Sequence, residues 1–299
     1  MSCSFKTLDM KTTNLLKVLI NVLLWGSSFA LLKLGLDQTP PITLAFIRFA
    51  MASPLLLIYT YFKNPSSFKK SLLQEWKTFF ILGLTGVTLP QIFQNVGLQS
   101  TSASNSSVIV ASNPVWMVLF SKFLLGEELT RRKIAGILLG FFGVIVMIMQ
   151  GGVMYIMNSA SVFADLITLG SALCWALYST LGKAHLKSHG AHLTTSLSMV
   201  FGTFMLIPFM MFTESPTIPS SPISWLYLVI LGVFCSGLAY LWWYQILVEE
   251  ETLKVGLFLF FIPIVSIAVA NLLLFEIPSL NFLAGTFFVV LGVMISEKG

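Results

Sequence analysis

Residues 101–149 read TSASNSSVIVASNPVWMVLFSKFLLGEELTRRKIAGILLGFFGVIVMIM: an apolar segment with Pro114 near its middle, a short LGEELT connector, and a glycine-punctuated apolar segment. The stretch occurs twice. A shift of 149 positions lays Pro114 on Pro263, Leu124 on Leu273, Leu125 on Leu274, Glu127 on Glu276, Ala135 on Ala284, Gly136 on Gly285, Gly143 on Gly292 and Val144 on Val293 without a gap. The same register carries Trp76 onto Trp225 and Gly83 onto Gly232; one residue more carries Trp25 onto Trp175 and Lys33 onto Lys183. The chain reads as a duplication over nearly its whole length, with halves 1–150 and 151–299.

The two connectors differ in charge. Arg131, Arg132 and Lys133 of the first align with Leu280, Asn281 and Phe282 of the second. Basic residues accumulate on the cytoplasmic side of membrane helices, so homologous connectors of opposite basic content are expected on opposite faces. That is an inverted repeat, an arrangement of secondary transporters that places the substrate site at the repeat interface near the bilayer midplane. Chance similarity of two glycine-rich hairpins is the competing explanation, and the register continuing beyond this stretch argues against it.

Composition agrees. With 56% hydrophobic residues, 10% charged residues and a mean hydropathy of +0.89, the chain falls far below the roughly 25% charge of soluble domains and reads as a polytopic membrane protein. The net charge of +5 then reports positive-inside bias, not nucleic-acid binding. Cys3, Cys174 and Cys235 are scattered, two of them in apolar runs, so no disulfide or metal framework is expected. The first apolar run follows Lys11 and Lys17, but no A-x-A site follows it, and it reads as a retained span.

A spanning helix needs about 20 mostly apolar residues. Ten segments meet that length: 14–35, 41–62, 76–97, 102–125, 132–150, 161–183, 192–213, 223–246, 253–275 and 280–297. An all-α integral membrane fold of ten helices in two inverted five-helix repeats is therefore expected. With the N-terminus in the cytoplasm, all Lys and Arg except Lys33 and Arg48 fall on the cytoplasmic face, so both termini are expected there. Trp76 and Trp225 open spans three and eight as interface anchors, and the glycines of spans five and ten suit close helix packing.

These features resemble the drug/metabolite transporter superfamily and, within it, the EamA-type ten-helix carriers. The resemblance rests on Trp25, Gly26 and Lys33 of span one, the small residues Thr101–Ser107 entering span four, Pro114, the Leu125–Glu127 connector and the glycine-rich span five. It covers essentially the full chain. It implies a central cavity lined by spans one to four and six to nine, which would include Trp25 and Ser28. It also implies export or exchange of amino acids, related metabolites or amphipathic compounds across a bacterial inner membrane, by a monomer. The second half departs from the pattern where Phe275 replaces Gly126 and Pro278 replaces Leu129.

Polar groups within a bilayer are costly unless they face the bundle interior or a wet cavity. Gln91, Gln94, Asn95 and Gln99 form a stripe at helical spacing in span three, after Pro90. Asn105, Ser112 and Asn113 sit in span four, where Pro114 removes a backbone donor and favours a kink. Each is a candidate solute contact or an interhelical hydrogen bond. Trp175 and Tyr178 lie one turn apart in span six. Tyr240, Trp243 and Tyr244 align with the amide stripe of span three, so a cavity would offer amides from one half and rings from the other. The alternative for every ring is core packing.

Arg48 is the charge well inside a span, and its repeat counterpart is Ser198. It reads either as a carboxylate anchor, since guanidinium binds carboxylate bidentately, or as a side chain that snorkels outward or pairs with Asp37. Asp37, Asp165, Glu214 and Glu276 lie at outer helix ends, so no proton relay is evident. His185, His189 and His192 are expected in a solvated loop after span six without a joining acid, which argues against a metal site. No Walker, H-E-x-x-H or G-x-S-x-G motif is present. An ATP-driven pump and an intramembrane enzyme are disfavoured, and no cofactor is expected. A nucleotide-sugar carrier of the same superfamily would call for more cavity cations than Arg48 and Lys33. A non-transporting scaffold or channel leaves the polar stripe unexplained.

Overall fold

The structure, a computed structural model, describes residues 10–63, 65–148, 159–275 and 280–297. Its long helices are α1 (Thr12–Leu36), α2 (Pro41–Lys63), α3 (Trp76–Ser100), α4 (Ala103–Leu125), α5 (Arg131–Ile148), α6 (Val162–Leu186), α7 (Ser188–Thr213), α8 (Pro222–Glu249), α9 (Thr252–Leu274) and α10 (Leu280–Glu297). Among the described residues, 8 of these are long and apolar enough to cross a membrane, all except α5 and α10. The chain is an all-helical, multi-span membrane protein. α5 and α10 have 18 residues each, about 27 Å at 1.5 Å per residue. A short helix, Pro65–Gln74, joins α2 to α3.

The halves repeat each other in backbone detail. α4 breaks at Ala111–Ser112 before Asn113 and Pro114, and α9 tightens into a 3-10 turn at Phe258–Phe261 before Ile262 and Pro263. In both, proline removes a helical donor and the preceding turn rearranges. α4 ends on Gly126 at φ +69°, α9 on Phe275 at φ +57°. The substitution noted in the sequence therefore leaves the left-handed cap intact, with an exposed phenylalanine in a conformation that normally favours glycine. π-helical segments interrupt α3 at Leu84–Thr88 and α8 at Ile230–Leu238.

α5 and α10 pack against one another reciprocally. A Cβ on Gly143 would meet the Gly285 carbonyl, and one on Gly292 would meet the Gly136 carbonyl. Since Gly143 pairs with Gly292 and Gly136 with Gly285 in the repeat, this contact is its own image under a two-fold operation.

The lysines that end α1 and α6 are also equivalent. Lys33 Nζ donates to the carbonyls of Leu98 and Thr101 at 2.7 and 2.8 Å, closing the end of α3. Lys183 Nζ donates to the Glu250 carbonyl at 2.7 Å, closing α8, and to Glu127 at 2.9 Å. Both place a cation at a helix C-terminus, where the dipole favours it. At the face that carries Lys33, Glu214 accepts from the backbone N–H groups of Ile42 and Thr43 at 2.8 and 2.9 Å, capping α2.

One expectation needs correction. The histidines do not occupy a loop, because helix runs from Ser159 to Thr213 with a non-helical break at Gly190, at φ +72°. An acid does join them: Glu75 lies 2.8 Å from His189 Nε2. His192 falls within α7, its ring 5.2 Å from that of Tyr59. The sequence signal for a loop was polarity, and a single glycine sufficed for the turn.

Candidate functional site

The site grows from the two π segments. A π turn offsets the ladder by one residue and leaves carbonyls for other donors. In α8, the Cys235 carbonyl accepts from Trp25 Nε1 at 3.0 Å, while that of Leu231 accepts from Arg48 Nε at 3.2 Å and from Ser236 Oγ at 2.9 Å. In α3, the Gly86 carbonyl accepts from the Tyr240 hydroxyl at 3.2 Å. Gly86 and Cys235 are repeat equivalents, so one backbone position in each half holds an aromatic side chain from the opposite half.

Arg48 is buried, 3% exposed. Its Nε also donates to Ser236 Oγ, and its Nη1 donates to Gln91 Oε1 at 3.1 Å. Because guanidinium only donates, Gln91 must turn its oxygen to Arg48 and its NH2 to Tyr240, 3.2 Å away. The Tyr240 hydroxyl accepts that bond and passes its own proton to Gly86. The guanidinium lies 5.3 Å from the Phe49 ring centroid, and Phe49 meets Tyr240 edge-on at 5.5 Å. Neither the snorkelling nor the Asp37 geometry is adopted: the hydrogen bonds of Arg48 run inward.

These residues border a cavity of about 50 Å³ lined by Trp25, Ser28, Phe29, Arg48, Gln91, Gln94, Val110, Asn113, Ser171, Trp175, Tyr240, Leu259 and Ile262. Four pairs in this lining are repeat equivalents: Trp25 with Trp175, Gln91 with Tyr240, Val110 with Leu259, and Asn113 with Ile262. Two of these pairs touch, the tryptophans edge-to-face at 5.4 Å and Gln91 with Tyr240 by hydrogen bond. A residue and its image are equidistant from a two-fold axis, so contacting images mark where it passes. The volume admits a few waters, each needing roughly 10–15 Å³ on this measure. Binding a metabolite requires the halves to separate.

Of the sequence candidates, the structure brings Trp25, Ser28, Arg48, Gln91, Gln94, Asn113, Trp175 and Tyr240 to this cavity. The other five lie outside its lining. Asn95 donates to the Pro41 carbonyl at 3.0 Å. Asn105 sits in the first turn of α4, its backbone N–H donating to Ser102 Oγ. Trp243 Nε1 donates to Ser179 Oγ and the Tyr244 hydroxyl to the Tyr178 carbonyl, both at 3.0 Å, and the rings of Tyr178 and Tyr244 stack at 4.7 Å. These three contacts tie α6 to α8. Phe29, Val110, Ser171, Leu259 and Ile262 had not been singled out. For Ile262 a signal existed: it occupies the repeat position of Asn113, but an apolar residue in an apolar helix attracts no notice.

The geometry, a cavity between two similar halves of a multi-span membrane protein, fits the class of membrane transporters. Comparison with known proteins agrees: the EamA-like transporter family matches residues 12–149 and again 162–297, and the chain belongs to it. It is 31% identical to an uncharacterized transporter of Archaeoglobus fulgidus over 93% of this chain and 94% of that one. It is 30% identical to the uncharacterized transporter YyaM of Bacillus subtilis, over 91% and 89%. A probable terminal-alkyne amino-acid exporter of Streptantibioticus cattleyicolor is 25% identical over 94% and 92%. A solved crystal structure superposes with a TM-score of 0.79 at 21% identity, covering 96% of this chain and 97% of that one; this likeness concerns the fold.

Proposed function

We propose that the protein is a secondary carrier that exports or exchanges small metabolites, amino acids or other amphipathic and aromatic compounds, by alternating access. The observation that carries this is the shared cavity: four repeat-equivalent pairs converge on one site. Rocking of residues 1–150 against 151–299 would expose that site to each face in turn. In this reading α5 and α10 also cross, giving ten spans, and both termini lie in the cytoplasm of a bacterial inner membrane. The protein acts as a monomer in the bilayer, with solute transport and no chemical conversion.

The exporter among the relatives supports amino-acid-like solutes. Arg48 is the only cation among the described lining residues, and Lys33 is committed to the end of α3, so the doubly charged diphosphate of a sugar nucleotide is a poor match. Reconstitution into liposomes with a panel of radiolabelled amino acids and aromatic metabolites, with and without a pH gradient, tests the reading. Saturable, protein-dependent flux with countertransport is expected; non-saturable flux would indicate a channel.

A further inference from the structure

We propose that the recognised group of the solute is a carboxylate held by Arg48, with an apolar or aromatic body against Trp25 and Trp175. This rests on the carrier reading and names its substrate class. A charge taken out of water is costly unless an opposite charge or a full set of hydrogen bonds meets it. Arg48 is 3% exposed, yet its acceptors, the Leu231 carbonyl, Ser236 Oγ and Gln91 Oε1, are all neutral. Among the described residues, no carboxylate forms an ion pair with it and none lines its cavity. The bonds formed use Nε–H and one N–H of Nη1 out of the five that a guanidinium carries. A cavity-lining cation thus retains donors in the fork geometry that matches a carboxylate.

One further observation points the same way, and a second asks for a hydrogen-bond donor elsewhere on the solute. The fold does not require a charge here, since the equivalent position in the other half is the buried Ser198. Asn113, also in the lining and 3% exposed, has an amide oxygen buried without a hydrogen-bond partner, an acceptor that an N–H or O–H on the solute body would answer and the carboxylate would not. The protein leaves two polar groups of one cavity incompletely answered, one of them positive. An edge-to-face pair of tryptophans supplies a wall for a flat apolar body. With no acidic side chain in the described lining, a solute ammonium would find only ring faces and amide oxygens, so the carboxylate is the group that determines recognition.

The test uses the full-length protein and two probes of equal shape, phenylacetate and its neutral amide phenylacetamide, with phenylalanine as the zwitterion. Binding is read by ligand-dependent thermal shift in detergent, flux by uptake into liposomes. Phenylacetate should bind at least tenfold more tightly than phenylacetamide, and phenylalanine should follow the acid. Arg48→Lys should weaken the acid about tenfold by losing bidentate geometry, and Arg48→Gln should erase the preference. The acid–amide comparison needs no variant and survives any folding defect. Equal binding of acid and amide, or no binding of the acid, overturns the carboxylate site. Binding of the acid without flux would instead overturn the carrier reading and leave the site standing.

Discussion

In α3 the π segment Leu84–Thr88 is followed by Gln91, Gln94 and Asn95; in α8 the segment Ile230–Leu238 is followed, at equivalent positions, by Tyr240, Trp243 and Tyr244. The backbone device is shared and the side chains have opposite character. Amides carry paired donors and acceptors; rings carry area, two hydroxyls and an indole N–H. The duplication thus fixes where the cavity lies, because images meet only at the axis, while divergence between the copies fixes what the cavity presents. Arg48 opposite Ser198 is the extreme case.

The sharpest test of that comparison is at the glycines that admit each helix. A Cβ on Gly83 would lie 2.6 Å from both Gly202 N and the Ser198 carbonyl, whereas one on its equivalent Gly232 would lie 2.9 Å from the Arg48 carbonyl, so backbone blocks both and blocks Gly83 more closely. Gly83→Leu should reduce folded, monodisperse protein in size-exclusion chromatography by about tenfold or more. Gly232→Ala should retain more of the protein and lower flux, because the single backbone contact is looser and its relief displaces Arg48. Equal losses at the two sites would show that the helices are seated alike.

Tyr240→Phe comes next. It removes the hydroxyl that links Gln91 to the Gly86 carbonyl and leaves the buried Gln91 NH2 without that acceptor. A buried unmet donor costs about 1–3 kcal/mol, which denaturant or thermal unfolding in detergent should register.

Smaller effects separate cavity from scaffold within the same stripes. Gln94 lines the cavity, while its equivalent Trp243 bonds to Ser179 away from it. Gln94→Leu should cut flux several-fold with unchanged yield, and Trp243→Phe should lower the melting temperature with near-normal flux per folded molecule. Asn95→Leu should behave like the second class, since its amide serves the Pro41 carbonyl.

Much of this architecture is written in the sequence at the level of periodicity. The repeat register located α4 and α9 and their prolines, and marked the glycines of α5 and α10 for close packing without saying that the two helices pack on each other, because proline and glycine act through backbone geometry that any copy must reproduce. The same register, applied to Asn113, points to Ile262. What composition did not disclose is the π segments. No residue type encodes a π turn, and its consequence, carbonyls at Gly86, Leu231 and Cys235 turned to side chains of other helices, emerges only when the helices are packed. Rotation about each helix axis is likewise tertiary: Gln94 and Asn95 are neighbours in sequence, yet one lines the cavity and the other ties α3 to α2.

The smallest expected effect concerns the lysines that end α1 and α6. Lys33 and Lys183 both close a helix of their own half, but Lys183 also holds Glu127 at 2.9 Å, and Glu127 accepts from Thr252 Oγ1 at the same distance. Burial alone would raise the Glu127 carboxyl; the hydrogen bonds and charge of Lys183, aided by Thr252, outweigh it and hold the group below its ordinary value of 4.5. The sign follows directly. A depressed folded value means that the ionised pair adds stability at pH above about 4.5, and that this contribution is lost as the pH falls through the lower folded value. The pair is partly solvated, so the gain is at most about 1 kcal/mol. Melting temperature in detergent should fall more steeply below pH 4.5 for the native chain than for Glu127→Gln, which should be slightly less stable at pH 7 and flatter in acid. Parallel curves for the two proteins would show that the connector is held by Thr252 and packing, and that the charge on Lys183 serves α8 alone.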